Sequence, residues 1–314
     1  MTLHAWSTAA YVIPLPAGHR FPITKYALLH KRAIACGVLS PEQIADPPRA
    51  TREELLRVHT AGYVHALVAG TLDGAAMHRI GFPWSPALVE RSLRAVGGTI
   101  AAARAALVHG VAINLAGGTH HAFPDHGEGF CVFNDVAVAV RALRRERRLT
   151  RVAIVDLDVH QGNGTHAIFA GDRDTFTFSM HGANNYPFTR VAGDLDLELP
   201  DGTGDAVYLA LLAEALPKVL AAARPELVIY LAGADAHQRD RLGRLALTFN
   251  GLARRDAMVL DACREVGIPV AITIAGGYGH DIHDTVAAHL ATVRIARDVA
   301  AGARPLPAGV HRGA

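Results

Sequence analysis

The chain of 314 residues is half hydrophobic and 19% charged, with 31 Lys and Arg against 29 Asp and Glu for a formal net charge of +2. That balance excludes the strong field of a nucleic-acid or membrane-surface binder. Cys36, Cys131 and Cys263 form neither a CxxC pair nor an even-numbered disulfide framework, and no basic N-terminal region leads into an apolar core, so a cytoplasmic protein with no membrane span is expected.

Residues 1–50 read as irregular apart from a helix around Lys25–Cys36. Thr51 to Glu54 forms a capping box that predicts a helix through Leu55, Leu56, Val58 and Tyr63 toward Val68, and Gly70 to Pro86 reads as loop. Ser85 and Pro86 open a long helix that Gly110 closes, with Leu88, Val89, Leu93, Val96, Ile100 and Leu107 at helical spacing. A strand at Val111–Leu115 then empties into Gly117, Gly118, Thr119, His120 and His121. After a loop at Phe123–Phe130, Asn134 or Asp135 caps a helix from Val136 to about Arg147.

The next strand begins with Val152, Ala153, Ile154 and Val155, runs on through Asp156, Leu157, Asp158, Val159 and His160, and stops at a Gly162–Gly164 turn. On a strand Asp156, Asp158 and His160 would share one face. A further strand is expected at Thr175–Met180, a helix over Asp205–Ala223 kinked at Pro217, and a strand at Leu227–Leu231 leading to Gly233, Ala234 and Asp235. Arg239 to Phe249 reads as loop, with a helix following to Arg264. The strand Val270–Ile274 ends in Gly276, Gly277 and Tyr278, and a last helix covers Ile282 to Val299 before a frayed tail over 301–314. This alternation predicts one doubly wound, mostly parallel α/β domain over 1–314, core roughly 15–300, with helices on both sheet faces.

Ligands of such sheets bind beyond the carboxyl ends of the strands. Here those ends carry Asp158, His160 and Asp235, a donor set suited to one zinc ion with a position left open for water and substrate. His120 and His121 are candidates for general acid and base, and Tyr278 for hydrogen bonding to an oxygen that becomes anionic.

The runs GGTHHAFPDHGEGFCVFND, DLDVHQGNG, AGAD and AGGY, in that order, resemble the zinc-dependent histone deacetylases of the arginase/deacetylase superfamily. HRFPITKY at His19–Tyr26, Gly97 to Ile100, and DRLGRLALTFNGLARRD at Asp240–Asp256 look most like the class IV branch and its bacterial relatives. The resemblance implies zinc on Asp158, His160 and Asp235, His121 as the proton shuttle, His120 as its electrostatic partner oriented by Asp156, and Tyr278 as oxyanion donor. It implies an acyl-lysine tunnel lined by Gly129, Phe130 and Tyr186, and a structural potassium ion (K+) at Asp156, Asp158, His160, Ser179 and Met180. Asn163 stands where class I members have an aspartate, so the pKa of His121 should be raised less than there. Between Gly70 and Pro86 the acidic rim of class I is missing.

The expected function is therefore removal of an acyl group from the acylated lysine side chain of a peptide or protein, with long fatty acyl groups within the class IV range. A small acylated polyamine or other small N-acyl amine is the alternative substrate, disfavoured by the lack of a recognisable glutamate gatekeeper. A binuclear manganese hydrolase is disfavoured because Gly162 stands where a bridging carboxylate would be needed. The alternative of another class, a catalytically inactive acyl-lysine binding protein, is disfavoured by the complete set of ligands, histidines and Tyr278.

Overall fold

Val152 to Val155 give a strand no polar face to turn to water, so both its faces must be covered. In the computed structural model, which describes residues 2–302, that strand lies inside an eight-stranded, wholly parallel sheet. The strands are β1 (His4–Trp6), β2 (Ile44–Ala45), β3 (Val111–Asn114), β4 (Val152–Asp156), β5 (Thr175–Gly182), β6 (Leu195–Leu199), β7 (Leu227–Leu231) and β8 (Val270–Thr273), arranged in the order β2-β1-β3-β8-β7-β4-β5-β6. Every residue of β3, β4, β7 and β8 is buried.

The helices are α1 (Lys25–Ala35), α2 (Arg52–Leu55), α3 (Ala61–Ala69), α4 (Gly74–Ile80), α5 (Pro86–His109), α6 (Asp135–Arg145), α7 (Asn163–Phe169), α8 (Asp205–Ala223), α9 (Phe249–Glu265) and α10 (Ile282–Ala300). They cover both faces of the sheet. One group is built on α5 packed against α6, the other on α10 between α1 and α9, with α8 beside α9. Helix α8 is long and apolar enough to cross a membrane, but it buries Tyr208, Leu212, Leu216 and Val219 and packs on β4 and β5, as a core helix does. Pro217 lies inside it, near the C-terminal end.

Several expectations need correction. The capping box at Thr51 forms, but α2 stops after one turn, because Thr60 caps a separate helix α3 and its N–H donates to the Pro124 carbonyl at 2.8 Å. The stretch 70–86 contains α4, capped by Asp73, whose side chain accepts from the Ala76 N–H. Strands β1, β2 and β6 occupy segments where none was expected; β1 and β2 are only three and two residues long and give almost no period to read. Strand β4 ends at Asp156, so Asp158 and His160 stand in the loop beyond it, and α7 begins where a turn was expected. The expected frayed tail lies outside the described residues from 303 onward.

His59 ties the connection between α2 and α3 to the loop at Phe123 and to the start of α6. Its Nε2 accepts the Asn134 N–H at 3.0 Å, which leaves the proton on Nδ1 to donate to the Phe123 carbonyl at 2.9 Å. Burial lowers its pKa from 6.5 to about 4, against the opposing pull of backbone hydrogen bonds. The folded state thus binds the proton more weakly than the unfolded chain, so the contribution of His59 is present above pH 6.5 and is lost as pH falls toward 4. Between pH 7.5 and 5 this loss should amount to roughly 2 kcal/mol. Urea midpoints of wild type and His59→Gln across that range check it; two parallel profiles would contradict it.

Candidate metal centre and active site

Beyond the carboxyl ends of β4 and β7, His160 Nδ1 lies 2.9 Å from Asp158 Oδ1 and 3.3 Å from Asp235 Oδ2. One donor atom from each of the three residues falls within 4.8 Å of the others, and all three residues are buried. Backbone N–H groups satisfy the outer oxygens: Gly276 donates to Asp158 Oδ2 at 2.8 Å and Val159 to Asp235 Oδ1 at 3.0 Å. Asp235 Oδ2 is buried and accepts no hydrogen bond. Burial, then the Asp158 charge, push the Asp235 carboxyl up; burial opposes a charge on His160, yet the Asp158 and Asp235 carboxylates beside it lift its pKa to about 10. Two carboxylates this close and this dry demand positive charge between them.

The space there is kept open. A Cβ on Gly276 would collide with the inward Oδ2 of Asp235 and the outer Oδ2 of Asp158, and one on Gly233 would strike both carboxylates. An oxygen, oxygen and imidazole donor set with an unpartnered buried oxygen and glycine-walled room fits a divalent ion such as zinc.

The loops that carry these ligands are pinned from below. Arg255 of α9, 1% exposed, donates to the carbonyls of Gly233 at 2.7 Å and Leu157 at 3.2 Å, and its charge is met by Asp256 at 2.8 Å. Asp256 also accepts from Tyr230 at 2.5 Å and Thr292 at 2.6 Å. Sequence reading missed Arg255. The signal was its phase, since Leu252, Arg255, Asp256 and Val259 recur at helical spacing on the buried side of α9.

His120 and His121 reach one site because the chain turns at Gly117 and Gly118, at φ 79° and 77°, where Asp135 accepts the Gly118 and Thr119 N–H groups at 3.0 and 2.7 Å. The two imidazoles stand 4.1 Å apart in different environments. Burial resists a charge on His120, but Asp156, 2.6 Å from its Nδ1, and Asp158 outweigh it and raise the pKa to about 9. His121 is driven well below 6.5 by burial, then by the charges of His120 and His160. The pair is thus split into a cation and a neutral base.

Which nitrogen of His121 carries the proton follows from Glu128, also missed in the sequence. A carboxylate only accepts, so Glu128 Oε1 takes the Asn163 Nδ2 amide at 2.7 Å and turns Asn163 Oδ1 toward His121 Nδ1, 2.8 Å away. His121 Nδ1 therefore donates, and Nε2 keeps its lone pair. Glu128 also hydrogen-bonds Tyr186.

Tyr278 stands with its ring centroid 6.3 Å from that of His160, edge to face. Its phenol is pushed well above 10 by burial, then by the charges of Asp158 and Asp235, and so keeps its proton. Asp240 accepts its N–H at 2.6 Å, and Lys25 donates to the carbonyls of Ala275 and Gly277 at 3.2 and 3.3 Å. Phe130 lies 5.9 Å from Tyr278 and Tyr186 4.9 Å from His121, centroid to centroid, while a Cβ on Gly129 would strike both His121 and Tyr186. Gly129, Phe130, Tyr186, His121, His160 and Tyr278 together line a cavity of about 490 Å³ that forms the mouth of the site. Ser179 sits opposite Asp156 in the β4–β5 register and bonds His181 at 2.8 Å, with Met180 buried beside it.

A parallel α/β sheet whose strand ends gather a metal-ready acid pair, a split histidine pair and a protonated phenol has the arginase/deacetylase architecture. Residues 19–293 match the histone deacetylase domain, and the chain belongs to that family. It is 50% identical over 289 residues to an uncharacterized protein of Picosynechococcus, covering 92% of this chain and 96% of that one. It is 32% identical to the histone deacetylase-like amidohydrolase of Pseudomonas aeruginosa over 84% of this chain and 74% of the other. Among solved structures, an HDAC homolog complexed with SAHA aligns at a TM-score of 0.83 and 26% identity, over 96% of this chain and 84% of that one.

Gly276→Ala tests the cradle directly. The added methyl should lower zinc affinity by at least ~10-fold, the scale on which even outer partners of a metal site act. Zinc titration of the folded variant, with circular dichroism as control, checks this; wild-type affinity would contradict it.

Proposed function

We propose that the protein is a zinc-dependent amide hydrolase that removes the acyl group from acyl-lysine. The observation that carries this reading is His121, its Nδ1 held 2.8 Å from Asn163 Oδ1, lining one cavity with Tyr278 and with His160 of the Asp158, His160 and Asp235 cluster. The amidohydrolase and deacetylase names of its relatives support the reaction class. Asp158, His160 and Asp235 would hold the zinc. When bound, zinc polarises the acyl carbonyl and acidifies water.

His121 Nε2 takes the proton of the attacking water and returns one to the leaving lysine amine. Asp156 holds His120 as a cation, which keeps His121 from retaining the proton it collects. Tyr278 donates its phenol hydrogen bond to the carbonyl oxygen as negative charge grows there. Gly129, Phe130 and Tyr186 line the acyl-lysine tunnel, and Gly129 lets the chain run close to His121. We place the structural potassium ion of the family resemblance on the carbonyls of Asp156, Asp158, His160 and Met180 with Ser179, supported by the register of Asp156 with Ser179. The chain is read as a single catalytic domain of the class IV type acting in the cytoplasm, consistent with three unpaired cysteines among the described residues.

In the zinc-loaded enzyme, Tyr278→Phe should lower kcat by about 10²-fold with little change in KM. His121→Ala should cost about 10²–10⁴-fold with zinc still bound. Hydrolysis of acyl-lysine peptides from acetyl to myristoyl, with metal content measured in parallel, is the test; wild-type kcat in either variant would remove that residue from the reaction.

Glu128→Ala should reduce kcat by about tenfold, the lower range of a positioning loss, and should have almost no further effect in an Asn163→Ala background. Additive losses in that double-mutant cycle would mean that Glu128 does not act through Asn163.

A further inference from the structure

The mouth of the site has one sign of charge. Arg20, Arg79, Arg241 and Arg244 line it together with His78, and no Asp or Glu does among the described residues. All four arginines are exposed there. Arg241 is held in place, donating to the carbonyls of Tyr278 at 2.9 Å and Arg20 at 3.1 Å, so its charge stands fixed beside the tunnel. Arg79 is set against the tunnel wall, because its carbonyl accepts the Gly129 N–H at 3.1 Å.

Two neighbouring carboxylates, Glu128 and Asp240, are turned inward. Glu128 is occupied by Asn163 and Tyr186, and Asp240 accepts from the N–H groups of Tyr278, Leu242 and Gly243. Arg244 alone pairs with an acid, Asp201 at 3.2 Å, and both partners are exposed, where such pairs are weak. The +2 charge of the whole chain is small, so the positive field is a property of the mouth rather than of the molecule.

We propose that the substrate is an anionic N-acyl amine, an acyl-lysine with Asp or Glu beside it in a peptide, whose carboxylates dock on Arg20, Arg79 and Arg241 while the acylated side chain enters the tunnel. This rests on the deacylase reading above and sharpens it. Guanidinium groups take carboxylates in paired hydrogen bonds, and a cleft lined by one sign concentrates ligands of the other. An acylated polyamine carries the wrong charge for this mouth.

The test uses the full zinc-loaded chain and acyl-lysine peptides that differ only in flanking Asp, Ser or Lys, with kcat/KM from hydrolysis and Kd from fluorescence anisotropy. Asp-flanked peptide should be favoured over Lys-flanked by roughly tenfold or more at low salt, the lower end of what a single-sign cleft delivers. High salt should shrink the ratio. The double variant Arg20→Glu, Arg79→Glu should erase or invert it. Equal constants, preference for Lys flanks, faster turnover of an acetylpolyamine, or a ratio untouched by the double variant would each overturn the proposal. If no peptide is hydrolysed but the order of Kd holds, the deacylase reading falls and the docking inference stands; hydrolysis without preference does the reverse.

Discussion

Two carboxylates, Asp158 and Asp235, face the same dry space across one imidazole nitrogen, and the rest of the structure is arranged to make that tolerable. Their mutual repulsion at full burial is among the most costly arrangements a fold can hold. It is relieved by backbone N–H groups from Gly276 and Val159 on the outer oxygens and, on the inner side, by the His160 imidazole, 2.9 Å from Asp158 and 3.3 Å from Asp235. Gly276 follows from the same constraint, since a side chain there would run into the inner oxygen of Asp235, and Gly233 from the close approach of both carboxylates, which a Cβ there would strike.

Each strand end that delivers a functional group is anchored by a buried ionisable side chain bonded to its backbone. Asp135 holds the turn before His120 and His121, Arg255 holds the carbonyls of Leu157 and Gly233, and Lys25 and Asp240 hold the chain that leads into Tyr278. A buried charge is an expensive anchor. It is also directional, and four loops must converge to within a few tenths of an ångström of a working geometry. Apolar packing could hold the sheet, but it could not fix where a carbonyl points.

What could be read from the sequence divides along the same line. The four apolar strands β3, β4, β7 and β8 and the loaded ends at His120, Asp158, Asp235 and Tyr278 were legible because local composition carries them. Asp156, Asp158 and His160 were read as one strand face, whereas the strand stops at Asp156 and the loop, pinned by Arg255, aims the other two. Glu128 was silent because it acts through Asn163, 35 residues away, and Arg255 showed only its buried phase on α9, since the carbonyl it holds lies 98 residues away, a distance no spacing rule spans. Helix α4 hid inside a Gly- and Pro-punctuated stretch, and its neighbour Gly129 gives the tunnel its entry.

The split of the histidine pair joins this electrostatic frame to chemistry, since Asp156 and Asp158 favour a charge on His120 while burial, then the charges of His120 and His160, push the pKa of His121 down beside it. If the frame holds zinc for amide hydrolysis, then stripping the protein with a chelator and restoring zinc stepwise should govern the release of free lysine amine across a panel of acyl-lysine peptides. Stripped protein should release none, and activity should saturate at one zinc per chain. Equal turnover by the stripped protein, or a fully zinc-loaded protein that hydrolyses none of the panel, would contradict that role.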